Sequence, residues 1–245
     1  MTDIDSIKNR LIDDLWLSIV KEGGEILYPK RKINKQMKML TLTRHNNCRE
    51  LEEFIKNKVT KKELIIGWNR ETNEAIRLEV EKLESAKGGY VYEDAIRDSQ
   101  SEIQDDFPFD ILNLDFTSQK PELEDERIEK EILGIENTIK MQSDKGNKGM
   151  VLIYTTILTS TPLNLQKIKR ESDSIWIQGR DRLSTDGFSS NTMDNNNKIR
   201  CIKGILTQIF SKYKYNHIVN IGYLCLELSN GSGDILSIAA LLKRS

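Results

Sequence analysis

Asp115 and Phe116 have the first setting in this chain that suggests chemistry. They close Phe107-Pro108-Phe109-Asp110-Ile111-Leu112-Asn113-Leu114-Asp115-Phe116, an apolar run that leaves the solvent at Asp110. Such a run reads as a buried parallel strand, and these strands present ligand-facing residues at their carboxyl ends. There a carboxylate can position a polar group and an aromatic ring can stack on a base. The structural alternative makes Asp115 a cap and Phe116 core, and both readings are open. A second cluster, Thr43-Arg44-His45-Asn46, is the most polar strand end in the chain. Arg44 suits a carboxylate or phosphate, and His45, which titrates near neutrality, suits a general base. A solvated loop is the alternative there. Trp16 and Trp68 lie in apolar runs and are read as core.

Other chemistries find little support. The three cysteines, Cys48, Cys201 and Cys225, are far apart, and with only His45 and His217 no metal site is expected. Phosphate-cradling GxxxxGK[ST], dinucleotide-binding GxGxxG and hydrolase GxSxG patterns do not occur, nor does the Glu-x-Lys or Asp-x-Lys of one nuclease class. Charged residues make up 31% of the chain and the net charge is −1, which excludes a general attraction to nucleic acid or membrane. A local exception is Lys30-Arg31-Lys32, extended by Lys35 and Lys38. It reads as a solvated basic loop or as a patch for a protein or nucleic-acid partner. The start, Met1-Thr2-Asp3-Ile4-Asp5, does not resemble a secretory signal, and no apolar run approaches the ~18 residues of a membrane span. A cytoplasmic protein with reduced thiols and no membrane partner is expected.

The elements that must position these residues follow from periodicity. Ile4, Ile7, Leu11, Leu15 and Ile19 predict an amphipathic opening helix stopped by Gly23-Gly24. Strands are predicted at 37–43, 64–68, 90–92, 109–116 and 150–156, with helices over 49–58, 70–86 and 126–142. Residues 181–197 read as an exposed loop, residues 199–213 as a helix. Ile218 to Leu228 and Ile235 to Leu242, joined by Ser229-Asn230-Gly231-Ser232-Gly233-Asp234, predict an antiparallel hairpin. The fold class is therefore α/β, a doubly wound, mostly parallel Rossmann-like sheet of about seven strands ending in an antiparallel hairpin. Residues 1–36 form a helix and basic loop, and 37–245 the Rossmann-like domain.

This order of elements resembles the class I S-adenosylmethionine-dependent methyltransferases. Leu64-Ile65-Ile66-Gly67-Trp68-Asn69 is similar to that family's second strand, and the resemblance implies that Asn69 faces the ribose. Tyr92-Glu93-Asp94-Ala95 is similar to the third-strand motif, which implies that Asp94 faces the adenine amino group. Phe109 to Phe116 resembles the fourth strand, whose end lies beside methyl donor and acceptor. The resemblance implies S-adenosylmethionine as cofactor, held by Thr43, Arg44, Asn46, Asn69, Asp94 and Phe116, with Asp115 and His45 as the catalytic pair. The pattern also departs from the family. Leu42-Thr43-Arg44-His45-Asn46-Asn47-Cys48 holds no glycine where the family turns on them, Asn69 stands for an acid, and Asp115-Phe116-Thr117-Ser118 replaces an Asn-Pro-Pro-Tyr-type motif. The expectation is a methyltransferase with an altered cofactor pocket, or a catalytically inactive binding subunit of a larger assembly.

Overall fold

A computed structural model describes residues 3–29, 36–42, 49–68, 85–87, 106–117, 124–159, 195–218, 222–227 and 233–245. Its strands are β1 (Met39–Leu42), β2 (Ile65–Trp68), β3 (Ser85–Lys87), β4 (Ile111–Asp115), β5 (Gly149–Leu158), β6 (Tyr215–His217), β7 (Gly222–Glu227) and β8 (Asp234–Arg244). They form one sheet in the order β3-β2-β1-β4-β5-β8-β6, with β7 also beside β8. The first five strands pair in parallel, and β6, β7 and β8 join antiparallel. Such a doubly wound α/β sheet with an antiparallel end is the order of elements that the sequence predicts. From β1 the chain works outward to β3, then returns to β4 and works the other way. The β1–β4 boundary is thus the switch point, outside whose carboxyl ends doubly wound sheets receive ligands.

Period-two alternation sends each central strand's side chains to two cores. Leu40, Leu112, Leu114, Leu152 and Leu242 pack with Ile128, Ile132 and Ile135 of helix α4 (Glu124–Asp144) and with Ile202, Ile205 and Ile209 of α5 (Asn195–Lys212). On the other face Met39, Ile111, Val151, Ile153 and Leu241 pack with Leu51 and Phe54 of α3 (Arg49–Lys56) and with the opening helix. That helix runs as α1 (Asp3–Leu11), a π turn (Ile12–Trp16) and α2 (Leu17–Leu27). A π turn takes up an extra residue and so rotates the buried stripe. Ile7 and Leu11 are buried as expected, but beyond the turn Trp16 and Val20 are buried instead of Leu15 and Ile19.

Three elements differ from expectation. The opening helix continues through Gly23-Gly24 to Leu27. Gly23 serves close packing there: a Cβ on it would lie 2.5 Å from Val151 Cγ2 and 3.1 Å from Leu241 Cδ1. The third described strand is Ser85–Lys87, paired in parallel with Ile66–Trp68, so Ser85 and Ala86 are strand and not the end of a helix. Sheet pairing outweighs the weak strand propensity of Ser-Ala-Lys. The remainder of that expected helix, and Tyr90 to Tyr92, lie outside the described residues, as does the expected loop from 181 to 194. Finally β6, Tyr215–His217, is an additional strand that pairs with Leu242–Arg244 of β8. Among the described residues no helix is long and apolar enough to cross a membrane.

Candidate functional site

The sequence Ile-Leu-Asn-Leu-Asp of β4 places Asn113 and Asp115 on the same face, because side chains two apart on a strand point the same way. Neighbouring strands add polar residues in register. Thr41 of β1 stands beside Asn113, Thr155 of β5 beside Asp115, and Ser237 of β8 beside Thr155. All five are buried. They form a polar row across four strands near the carboxyl end of the parallel sheet, under the opening helix.

The row is bonded piecewise. Asn113 Nδ2 donates to Thr41 Oγ1 at 3.2 Å, and the Thr155 and Ser237 hydroxyls are 2.9 Å apart. Trp16 Nε1, brought inward by the π turn, donates to Ser237 Oγ at 2.8 Å. Asp115 Oδ1 accepts from the Thr117 amide at 3.1 Å and the Thr117 hydroxyl at 2.6 Å. Its Oδ2 forms an ion pair with Lys8 Nζ, from α1, and both side chains are at most 4% exposed. One acceptor is left over: Asn113 Oδ1 is buried and has no hydrogen-bond partner. Orphans of this kind are uncommon in folded proteins and cost about 1–3 kcal/mol.

A second polar cluster lies on the opposite face, under α4. Arg127 donates to Glu131 at 2.6 Å, to Thr156 Oγ1 at 2.6 Å, and to the Ile157 carbonyl. Tyr154 Oη donates to Glu131 at 2.7 Å. Burial pushes the Glu131 carboxyl above its ordinary range, against the opposing pull of Arg127 and the Tyr154 hydroxyl. Burial and the neighbouring Glu131 hold the Tyr154 phenol well above its usual value. Here Arg127 and Tyr154 both meet acceptors, which suits a cluster that fixes α4 to β5.

Of the residues singled out in the sequence, Asp115 and Phe116 are described. Asp115 is 3% exposed and engaged with Lys8 and Thr117. Phe116 is 2% exposed and packs edge-on against Tyr154, ring centroids 5.7 Å apart, on the α4 face. The two therefore look to opposite sides of the sheet. Thr43, Arg44, His45, Asn46, Asn69, Asp94, Lys30, Arg31 and Lys32 lie outside the described residues. The strands that lead to the first five of these end side by side, since Leu42 and Trp68 are register partners. Trp16 is fully buried.

Sequence reasoning missed Lys8, Thr41, Asn113, Thr155 and Ser237. Two signals were available. Asn113 is a polar residue inside an apolar run, two positions before the acid already noticed. Lys8 interrupts the apolar stripe of the opening helix, one turn after Ile4 and one before Leu11. A charge set in such a stripe asks for a buried partner.

No family model matches the chain, and no curated protein matches it. Among solved structures it is similar to TYW2 from M. jannaschii in complex with AdoMet, at 10% identity over 92% of this chain and 76% of that one, with a TM-score of 0.44. It is similar to the N-methyltransferase NodS from Bradyrhizobium japonicum at 7% identity, over 92% and 94% of the chains, TM-score 0.41. It is also similar to the magnesium protoporphyrin IX methyltransferase of Synechocystis with bound SAH, at 9% identity, over 99% and 100%, TM-score 0.39.

Proposed function

We propose that this chain is a methyltransferase-like protein that binds S-adenosylmethionine in an altered pocket at the carboxyl ends of β1, β2 and β4. The observation that carries the reading is the polar row itself. It includes a carboxylate, Asp115, at the carboxyl end of β4, beside the switch point of a doubly wound sheet, where such sheets receive ligands. S-adenosylmethionine carries a sulfonium and an ammonium, and the Asp115 carboxylate with the open Asn113 Oδ1 suits a cationic, donor-bearing group. When bound, the cofactor would supply an electrophilic methyl group. The chain's own part is alignment, removal of a proton and exclusion of water.

In this reading Asn69 meets the ribose, Asp94 the adenine amino group, and Thr43, Arg44 and Asn46 the methionine part. Asp115 orients the acceptor and His45 takes its proton. Phe116 contributes from behind, by fixing the end of β4 against Tyr154. Calorimetric titration of the whole chain with S-adenosylmethionine and S-adenosylhomocysteine tests the proposal. Micromolar binding that Asp94→Ala abolishes supports it. Silence with both ligands sinks it, and a search for a co-purifying protein or nucleic acid then takes priority.

A further inference from the structure

We infer that the carboxyl end of β4 is a receptor for a protonated amine, and that Lys8 is the internal occupant which such a ligand displaces. The inference rests on the proposed reading only for the location of the site; it adds the chemistry of the group received there.

Three observations converge. First, two side chains on this face of β4 present acceptor oxygens. Asp115 Oδ2 holds the Lys8 ammonium while Oδ1 accepts from Thr117, and Asn113, two residues earlier on the same face, has a buried Oδ1 with no hydrogen-bond partner. An ammonium group carries three donors and no acceptor, which is the complement of that set.

Second, the cation now present belongs to another element. Lys8 lies 107 residues from Asp115 in sequence and reaches it from α1. Taking two charges out of water costs several kcal/mol each, and apolar residues of similar volume would commonly hold the helix as well. A buried lysine is therefore a costly anchor, but it is the natural stand-in for a ligand's ammonium group.

Third, a joint separates α1 from α2. It joins α2 through the π turn Ile12–Trp16, a helix irregularity often found at functional sites. Beyond that turn Trp16 and Val20 hold α2 to the sheet, with Trp16 bonded to Ser237. Before it, Ile7 and Leu11 of α1 are buried. Rotation about the turn would withdraw Lys8 and leave α2 seated.

The test is chemical rescue in the full chain. The Lys8→Ala variant is melted in methylammonium chloride and in sodium chloride of equal ionic strength. Its midpoint should lie below that of the unmutated protein, rise saturably with methylammonium and recover at least half of the loss. Tetramethylammonium, a cation without N–H donors, should recover none, and Lys8→Ala/Asp115→Asn should show no response to methylammonium. No recovery, equal recovery with tetramethylammonium, or recovery in the double variant overturns the inference. Should Lys8→Ala fail to fold, hydrogen exchange of amides 3–11 in the unmutated protein decides. Exchange several-fold faster in methylammonium than in sodium supports displacement, and unchanged exchange refutes it. Rescue together with silence toward S-adenosylmethionine would remove the proposed function and keep this site; cofactor binding without rescue would remove this inference alone.

Discussion

Two aspartates bracket β4, and their settings differ. At the amino end Asp110 accepts from the Tyr28 hydroxyl and the Lys38 amide, the latter at 3.0 Å. Around it the amino end is knitted by amides. Gln142 both accepts from the Phe109 amide at 2.8 Å and donates to its carbonyl at 2.7 Å, and Asn147 donates to the same carbonyl at 2.8 Å. At the carboxyl end Asp115 holds a buried cation from a distant helix, beside an amide oxygen that holds nothing. Buried polar groups that are all paired specify a structure, whereas a buried group left open is uncommon and costs stability. Under the proposed function the two ends of one strand separate scaffold from site.

The largest effect should come from breaking the charged end alone. Asp115→Ala strands the Lys8 ammonium in the core and should cost about 3–5 kcal/mol in urea unfolding. Lys8→Met/Asp115→Leu, which removes both charges and keeps volume, should recover most of that loss. If the double variant is as unstable as the single, the pair is structural in its own right and the contrast between the two ends fails.

Asp110→Ala should cost less, about 1–3 kcal/mol, because it leaves neutral donors unpaired. Tyr28 keeps the Gly149 carbonyl at 3.1 Å as an alternative acceptor. A loss larger than that of Asp115→Ala would reverse the assignment of scaffold and site.

Asn113→Ala sharpens the comparison from the other side. Its bond to Thr41 is offset by the orphan oxygen that leaves with it, so the stability change should stay near or below about 1 kcal/mol. Under the proposed function, affinity for S-adenosylmethionine or for an amine should fall at least several-fold by calorimetry. Unchanged binding would show that the open oxygen faces no ligand.

An effect of pH is expected as well. Burial pushes the Tyr215 phenol up to about 12 from 10.0, against the opposing pull of Arg244, while its hydroxyl donates to the Asn147 carbonyl at 3.2 Å. Burial likewise pushes the Cys201 thiol up to about 12 from 9.0. Both raised values favour the protonated native state. Their contribution is therefore complete below pH 9 and is lost as pH rises through about 12. A urea midpoint that declines steadily above pH 9 is the expected observation; a midpoint that rises there contradicts it.

Much of the scaffold was legible, because β4, β5 and β8 are long apolar runs buried on both faces, where composition alone identifies a strand. The extension of the opening helix past Gly23-Gly24 was not. Glycine stops helices through backbone freedom, yet Gly23 is there for the room it leaves Val151 and Leu241, a tertiary demand with no local trace. Ser85-Ala86-Lys87 likewise becomes strand only because Ile66–Trp68 lies beside it. At the site, the position of Asp115 could be read from the run it ends. Its partner could not, since an ion pair across 107 residues depends on which face each element presents. The expected Arg44, His45, Asn69 and Asp94 contributions lie outside the described residues.

The seat of the opening helix also bears on how the chain assembles. Trp16 bonds to Ser237 across 221 positions, and Val20 shares a core with Leu241. On a ribosome the opening helix emerges long before β8, which forms part of the surface its apolar stripe covers. Closing so wide a loop is slow compared with local helix formation. Part of the seat of the opening helix is therefore missing until β8 is made, and the Lys8–Asp115 pair becomes stable only when the helix docks. Docking and the ion pair then both depend on β8, so a chain shortened before β8 would lose both together.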